Sequence, residues 1–157
     1  MQNLLNKKII ITVVVVLLFI LGVLFYGNFL NKNKNQTQEN LPSLEVLGNK
    51  DNLLSFSILP GSTIPRNLDY IGVIEGGYFF EGNILINILD KDKNLLKAGY
   101  ANATSDWMTS GPVAFQGALD LSNLPKGFIY IQILQDDPSG GESGLPVKEI
   151  FLPVFIE

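Results

Sequence analysis

Glu75-Gly76-Gly77-Tyr78-Phe79-Phe80-Glu81-Gly82 opens a stretch that continues as Ile84-Leu85-Ile86-Asn87-Ile88-Leu89 and turns through Asp90-Lys91-Asp92-Lys93-Asn94. It returns as Leu95-Leu96-Lys97-Ala98-Gly99-Tyr100 and closes on Asp106-Trp107-Met108-Thr109. The two apolar runs are short and are bounded by glycine or charge, so they predict strands joined by a polar turn. Side chains alternate along an extended segment, which would put Tyr78 and Phe80 on one face and Phe79 on the other. One aromatic face then needs cover from a loop, a neighbour or a partner.

The same pattern extends on both sides of this hairpin. Short runs rich in Ile, Val, Phe and Tyr predict strands at Leu53–Ile58, Asp69–Glu75, Asn83–Leu89, Leu95–Asn102, Val113–Leu119, Gly127–Leu134 and Val147–Phe155. Pro60-Gly61, Pro65, Gly111-Pro112, Pro125-Lys126-Gly127 and Pro138-Ser139-Gly140-Gly141 punctuate them. About seven such strands with no helical period between them predict an all-β antiparallel sandwich over residues 53–157. In the last strand Ile150, Leu152, Val154 and Ile156 oppose Val147, Glu149, Phe151 and Phe155. Both faces are partly apolar, so this strand is central or covered by a partner.

Ahead of the domain the composition changes twice. Ile9 to Tyr26 carries no charge over eighteen residues, and at 1.5 Å each that is about 27 Å of helix, close to the hydrocarbon thickness of a bilayer. With Phe29 and Leu30 the span becomes residues 9–30. It is longer than the apolar core of a cleaved signal, and no Ala-x-Ala-like site follows it, so an uncleaved transmembrane signal-anchor is expected. Residues 1–8 are expected to form a short cytoplasmic tail. Residues 31–52 are rich in Asn, Gln and Lys and read as a flexible linker. The expected placement is single-pass in the cell membrane, bound to the lipid bilayer through residues 9–30, with the C-terminal domain outside the cytoplasm.

Composition excludes several chemistries. The chain has no cysteine and no histidine. That removes disulfides, thiolate nucleophiles, a Ser-His-Asp triad and histidine-based zinc sites. No Ser-x-x-Lys and no phosphate-cradling glycine pattern occurs. Net charge is −4, and from Leu68 onward five lysines face twelve acids, a net of −7. Nucleic acid is therefore not an expected partner, since phosphates need a basic face.

Two candidate surfaces remain. Tyr78, Phe79, Phe80 and Trp107 could form an exposed aromatic patch for glycan or peptide contact. Asp136, Asp137 and Glu142, with Ser139 and Ser143, lie in a glycine-rich loop that could wrap a divalent cation. Asp90, Asp92 and Asn94 copy the first oxygens of a calcium loop, but Leu95 stands where glycine is needed and Ala101 where a glutamate is needed. That segment reads as a solvated turn. Glu75 and Glu81 flank the aromatics, but nothing else in the chain suggests a sugar-cleaving cleft. No catalytic residue, cofactor site or metal site is assigned.

Pro60-Gly61, Pro65, Gly76-Gly77-Tyr78-Phe79-Phe80-Glu81-Gly82, Leu89-Asp90, Gly99-Tyr100, Asp106-Trp107-Met108-Thr109, Pro112-Val113-Ala114-Phe115 and Asp137-Pro138-Ser139-Gly140 form a set. Through them residues 53–157 resemble the bacterial spore germination immunoglobulin-like domain family. The resemblance implies an immunoglobulin-like β-sandwich on exported or surface-anchored bacterial proteins, with no catalytic residues to transfer. One departure is Lys93-Asn94, where the family pattern has Asn-Gly or a similar tight turn. The expected protein is a membrane-tethered, non-catalytic interaction or adhesion module at the cell envelope, whose partner is an envelope protein or glycan. The alternative is a carbohydrate- or cell-wall-binding module using exposed aromatics together with calcium.

Overall fold

The computed structural model describes residues 43–139, 144 and 146–157. The tail at 1–8, the transmembrane helix expected at 9–30 and the first part of the linker lie outside the described residues. Ten strands follow in order: β1 Leu47–Gly48, β2 Leu53–Phe56, β3 Thr63–Ile64, β4 Asn67–Ile74, β5 Asn83–Leu89, β6 Leu95–Lys97, β7 Tyr100–Ala103, β8 Val113–Asp120, β9 Gly127–Leu134 and β10 Glu149–Ile156. One 3-10 turn, Lys50–Asn52, precedes β2.

The strands make one continuous sheet in the order β1-β10-β9-β5-β7-β8-β4-β2, with β3 added to β10 and β6 to β5. The domain is all-β and antiparallel as expected, but about seven strands in a sandwich become ten strands in one continuous sheet. β7 pairs with β5 through Asn102, Ala101 and Tyr100 and with β8 through Asn102 and Ala103, so backbone hydrogen bonds join the two halves. The result is a half-barrel folded over its own interior. All pairings are antiparallel except β3 with β10, which is parallel.

Three boundaries differ from expectation for physical reasons. The single strand expected at Leu95–Asn102 is interrupted at Ala98-Gly99, where the chain runs close against β5. A Cβ on Gly99 would lie 2.9 Å from the Ile86 carbonyl oxygen, and the Gly99 carbonyl accepts the Ile86 N–H at 2.9 Å. The expected linker at 31–52 gives up its end to the sheet: Leu47 and Gly48 pair with Phe151 and Ile150. Gly48 adopts φ 79, and a side chain there would collide with the Glu149 carbonyl. β1 and β3 have two residues each, too few to show any period.

Alternation along β4 and β8 builds half of the core. Tyr70 lies opposite Gly117, and Phe115 lies opposite Gly72. Each pair sets an aromatic ring against a residue with no side chain. A Cβ on Gly117 would sit 2.6 Å from the Tyr70 Cζ, and one on Gly72 would sit 2.7 Å from the Phe115 Cε1. Phe56 completes the layer, edge-on to Tyr70 at 5.6 Å. Large rings thus occupy the space that the facing glycines leave empty, which is how two long strands pack at interior density. Opposite them stand Ile84, Ile86, Ile88, Ile131, Ile133, Ile150, Leu152 and Val154, all in the same buried cluster.

This packing leaves the Tyr70 hydroxyl buried without a hydrogen-bond partner in the protein. Desolvation pushes its pKa up to about 12 from 10.0. A raised folded-state pKa means that stability is intact below pH 10 and falls as pH rises toward 12. Tyr70→Phe removes the orphaned group and keeps the ring. It is expected to leave stability at pH 7 unchanged or raise it by up to about 1 kcal/mol, and to reduce the alkaline loss. Urea unfolding at pH 7 and pH 11 checks both. A loss above about 1 kcal/mol on removing the hydroxyl would show that it is satisfied.

The two-sided apolarity of β10 has a structural explanation. β10 is central, flanked by β9 on one side and by β1 and β3 on the other. Its second face carries a satellite cluster of Leu89, Tyr130 and Phe151, with Leu47 and Phe128 packed against it. Phe128 stands edge-on to both Tyr130, at 4.9 Å, and Phe155, at 5.6 Å. The Lys93 ammonium caps the group 3.8 Å above the Phe151 ring. The chain therefore covers part of this face itself.

Candidate functional site

The aromatic stretch between β4 and β5 is not extended. Gly77 takes φ 83 and the backbone bends over Gly76–Tyr78, which breaks the strand alternation. Tyr78 and Phe79 consequently both turn inward: Tyr78 is 0 % exposed and Phe79 is 9 % exposed. This corrects the expected surface patch, to which those two residues contribute no face. Phe80 keeps 40 % of its surface exposed, while Trp107 is half-buried and packs against the core.

Tyr78 ties several segments together. Its hydroxyl accepts a hydrogen bond from the Asn52 side-chain amide at 3.0 Å. Its carbonyl accepts the Asp136 N–H at 3.0 Å. The Lys148 ammonium lies 5.3 Å from its ring centroid and donates to the Gly76 carbonyl at 3.3 Å. Gly76 itself presses on the segment before β8: a Cβ there would overlap the Thr109 carbonyl and lie 2.8 Å from the Ser110 carbonyl carbon. A Cβ on Gly82 would meet the Trp107 indole nitrogen at 3.5 Å. The two most distinctive stretches of the sequence, Gly76–Gly82 and Asp106–Thr109, thus pack on each other as a lock between the two halves of the sheet.

The charged turn after β5 is closed by its own hydrogen bonds. Asp90 Oδ1 accepts the backbone N–H groups of Asp92 at 2.8 Å and Asn94 at 2.9 Å, and Oδ2 accepts the Asn94 side-chain amide at 2.9 Å. Lys93 occupies the left-handed region at φ 64, the position that suits glycine or asparagine in a tight turn. The hydrogen bonds from Asn94, and then that from Asp92, hold the Asp90 carboxyl below its ordinary 3.8. A depressed folded-state pKa contributes order that is present above pH 3.8 and lost as pH falls through the lower folded value. The protection factors of the Asp92 and Asn94 amides, corrected for the intrinsic pH dependence of exchange, are expected to fall over that window and to be lost at pH 7 in Asp90→Ala. Unchanged protection in that variant would show that the carboxylate does not hold the turn.

The acidic loop after β9 divides. Asp137 Oδ1 accepts from the Ser139 N–H at 2.9 Å and from its hydroxyl at 2.7 Å, forming a local turn. Asp136 instead lines a separate cleft. Glu142 lies outside the described residues. Among the described residues no three carboxylates converge on a point that could hold a metal ion.

The cleft that takes Asp136 has a volume of about 410 Å³ and is lined also by Asn83, Leu85, Tyr100 and Asn102. Strand register builds it. Asn83 faces Asn102 and Leu85 faces Tyr100 across β5 and β7, so these outward side chains stand side by side. Gln116 on β8 continues the row beside Asn102. Tyr100 is 64 % exposed. Sequence reasoning placed Asp136 in a cation loop and Tyr100 among the family residues, but did not bring them together with Asn83, Leu85 and Asn102. The available signal was the outward alternation Asn83, Leu85, Asn87 in β5 and Tyr100, Asn102 in the next strand, and only the pairing of β7 shows that they meet.

Comparison with known proteins gives one family. The model of the immunoglobulin-like domain of bacterial spore germination (Gmad2) matches residues 59–142, more than half of the chain. The match runs through the lock, the charged turn and β8, and ends before β10. No curated protein and no solved structure gives a significant match.

Proposed function

Because the chain belongs to the family of immunoglobulin-like domains of bacterial spore germination, we propose that it is a non-catalytic recognition module. It is held at the bacterial cell envelope by residues 9–30, with the half-barrel facing away from the cytoplasm. One observation carries the recognition part: among the described residues, no charged or amide side chain is buried. Carboxylates and amides sit on the outer surface of a rigid sheet, where they can meet another molecule without any opening of the core. The uncharged span Ile9–Tyr26 supports the tether, because such a length of apolar chain partitions into lipid as helix. Adhesion is the reading we attach to a recognition surface carried on such a tether.

Alkaline washing of membranes from cells expressing the full chain tests the tether. The protein is expected to stay in the pellet, and deletion of residues 9–30 is expected to release it. Recovery of the intact chain in the wash, or of a shortened chain lacking the first thirty residues, would defeat the anchored reading.

A further inference from the structure

We propose that the open cleft on the outer face of the paired strands β5 and β7 binds a neutral saccharide, with Tyr100 as the stacking ring and Asn83, Asn102 and Asp136 as partners for its hydroxyls. This deepens the recognition reading by giving it a site and a ligand class, and it rests on that part of the reading alone. It does not depend on the membrane tether.

The lining is matched to a polyol. A sugar ring presents hydroxyls that both donate and accept around its rim, and patches of C–H on its faces. The cleft offers amides that both donate and accept, one acceptor-only carboxylate, and an aromatic ring beside Leu85. The side chains of Tyr100, Asn102 and Asp136 make no hydrogen bond to any described residue. The one side-chain bond of Asn83 is long, 3.4 Å from Nδ2 to the Glu81 carbonyl, which leaves its Oδ1 available. Tyr100 keeps most of its ring in solvent although it sits in a strand between the two halves of the sheet.

The arrangement is also selective. Among the described residues lining the cleft there is no lysine or arginine, and there is one carboxylate, Asp136. An anionic ligand meets repulsion there, and a fully apolar one would strip water from amides without replacing it. A polycationic peptide finds a single countercharge. A neutral saccharide satisfies every group. The amides of Asn83, Asn102 and Gln116 lie on three successive strands, spaced at about 4.8 Å. That row suits the regular spacing of hydroxyls along an extended glycan better than it suits a single compact ligand.

The test is calorimetric titration of the full chain in lipid nanodiscs with chitotetraose and with cellotetraose. At least one is expected to bind. Tyr100→Ala is expected to weaken that binding about tenfold or more, and Asn102→Ala by several-fold. Tyr100→Phe keeps the ring and is expected to stay within about threefold of the unaltered chain. Phe80→Ala, at the other exposed aromatic, is expected to change nothing. Matching thermal unfolding of all variants shows that the losses are local. Absence of binding by both tetrasaccharides, equal binding by Tyr100→Ala, or loss of binding in Phe80→Ala with Tyr100→Ala unaffected would each overturn the assignment. If the chain still sediments with membranes in that case, the saccharide site falls while the tether stands.

Discussion

Gly76→Ala is expected to destabilise the half-barrel by about 3 kcal/mol. The reason is space rather than backbone freedom, since Gly76 has no positive φ. Its Cα faces the main chain of Thr109 and Ser110, and an added methyl would overlap the Thr109 carbonyl. Main-chain atoms cannot rotate aside as a side chain can, so one of the two halves of the sheet must move. Gly127→Ala is the informative control. Gly127 has φ 124, and nothing lies within 4 Å of the point where an added Cβ would stand, so its cost is backbone strain alone, about 1 kcal/mol. Urea unfolding of the two variants gives both figures. A cost below about 1 kcal/mol for Gly76→Ala would mean that the lock between Gly76–Gly82 and Asp106–Thr109 is loose.

Tyr78→Ala is expected to cost about 4 kcal/mol, in the range for losing a fully buried aromatic ring. Tyr78 has no exposed surface, and the flanking chain cannot collapse into the space because β4 and β5 are held by their sheet partners β8 and β9. Tyr78→Phe separates the ring from its hydroxyl. It loses only the bond from Asn52 and is expected to cost about 1 kcal/mol. Combining Tyr78→Phe with Asn52→Ala should cost less than the two added together, because both remove the same bond. Burial raises the Tyr78 pKa above 10.0 in spite of that bond. The folded state therefore resists ionisation, and stability contributed here falls as pH rises past 10.0. A loss under about 2 kcal/mol for Tyr78→Ala would show that the ring lies at a solvated surface after all.

These two effects explain why the aromatic and glycine signature of Glu75–Trp107 looks like a site in the sequence. It gathers rings and charges because two long segments cross there and must be fastened. Periodicity located the strands on which this depends. Asn83–Leu89 and Gly127–Leu134 stand where alternation and apolar runs place them. Periodicity could not show that Tyr78 and Phe79 turn inward together, since that follows from the φ of Gly77. Nor could it show β1 and β3, whose two-residue pairings exist only because β10 is there to receive them. The joining of the two layers has the same origin, because β7 reaches both β5 and β8 only in the folded chain. The candidate cleft was hidden for that reason as well. Asn83 and Tyr100 are ordinary outward residues of separate strands until register sets them side by side.

The lysine in the charged turn sits in a conformation that disfavours it. Lys93 takes φ 64, which costs a residue with a side chain about 1 kcal/mol. Its ammonium lies over the Phe151 ring, a contact of similar size. The strain and the contact offset one another, and the aromatic cluster on the outer face of β10 is capped.

The most direct measurement on the placement of this domain uses the absence of cysteine in the chain. Met108 is 78 % exposed, so Met108→Cys introduces one accessible thiol at the surface. Intact cells producing the full-length variant are treated with a membrane-impermeant maleimide, with a matched lysed sample as reference. If the half-barrel is displayed outside the cytoplasm on its tether, labelling in intact cells should equal that after lysis, and all of the label should sediment with membranes. Labelling only after lysis would place the domain inside the cell and contradict the account.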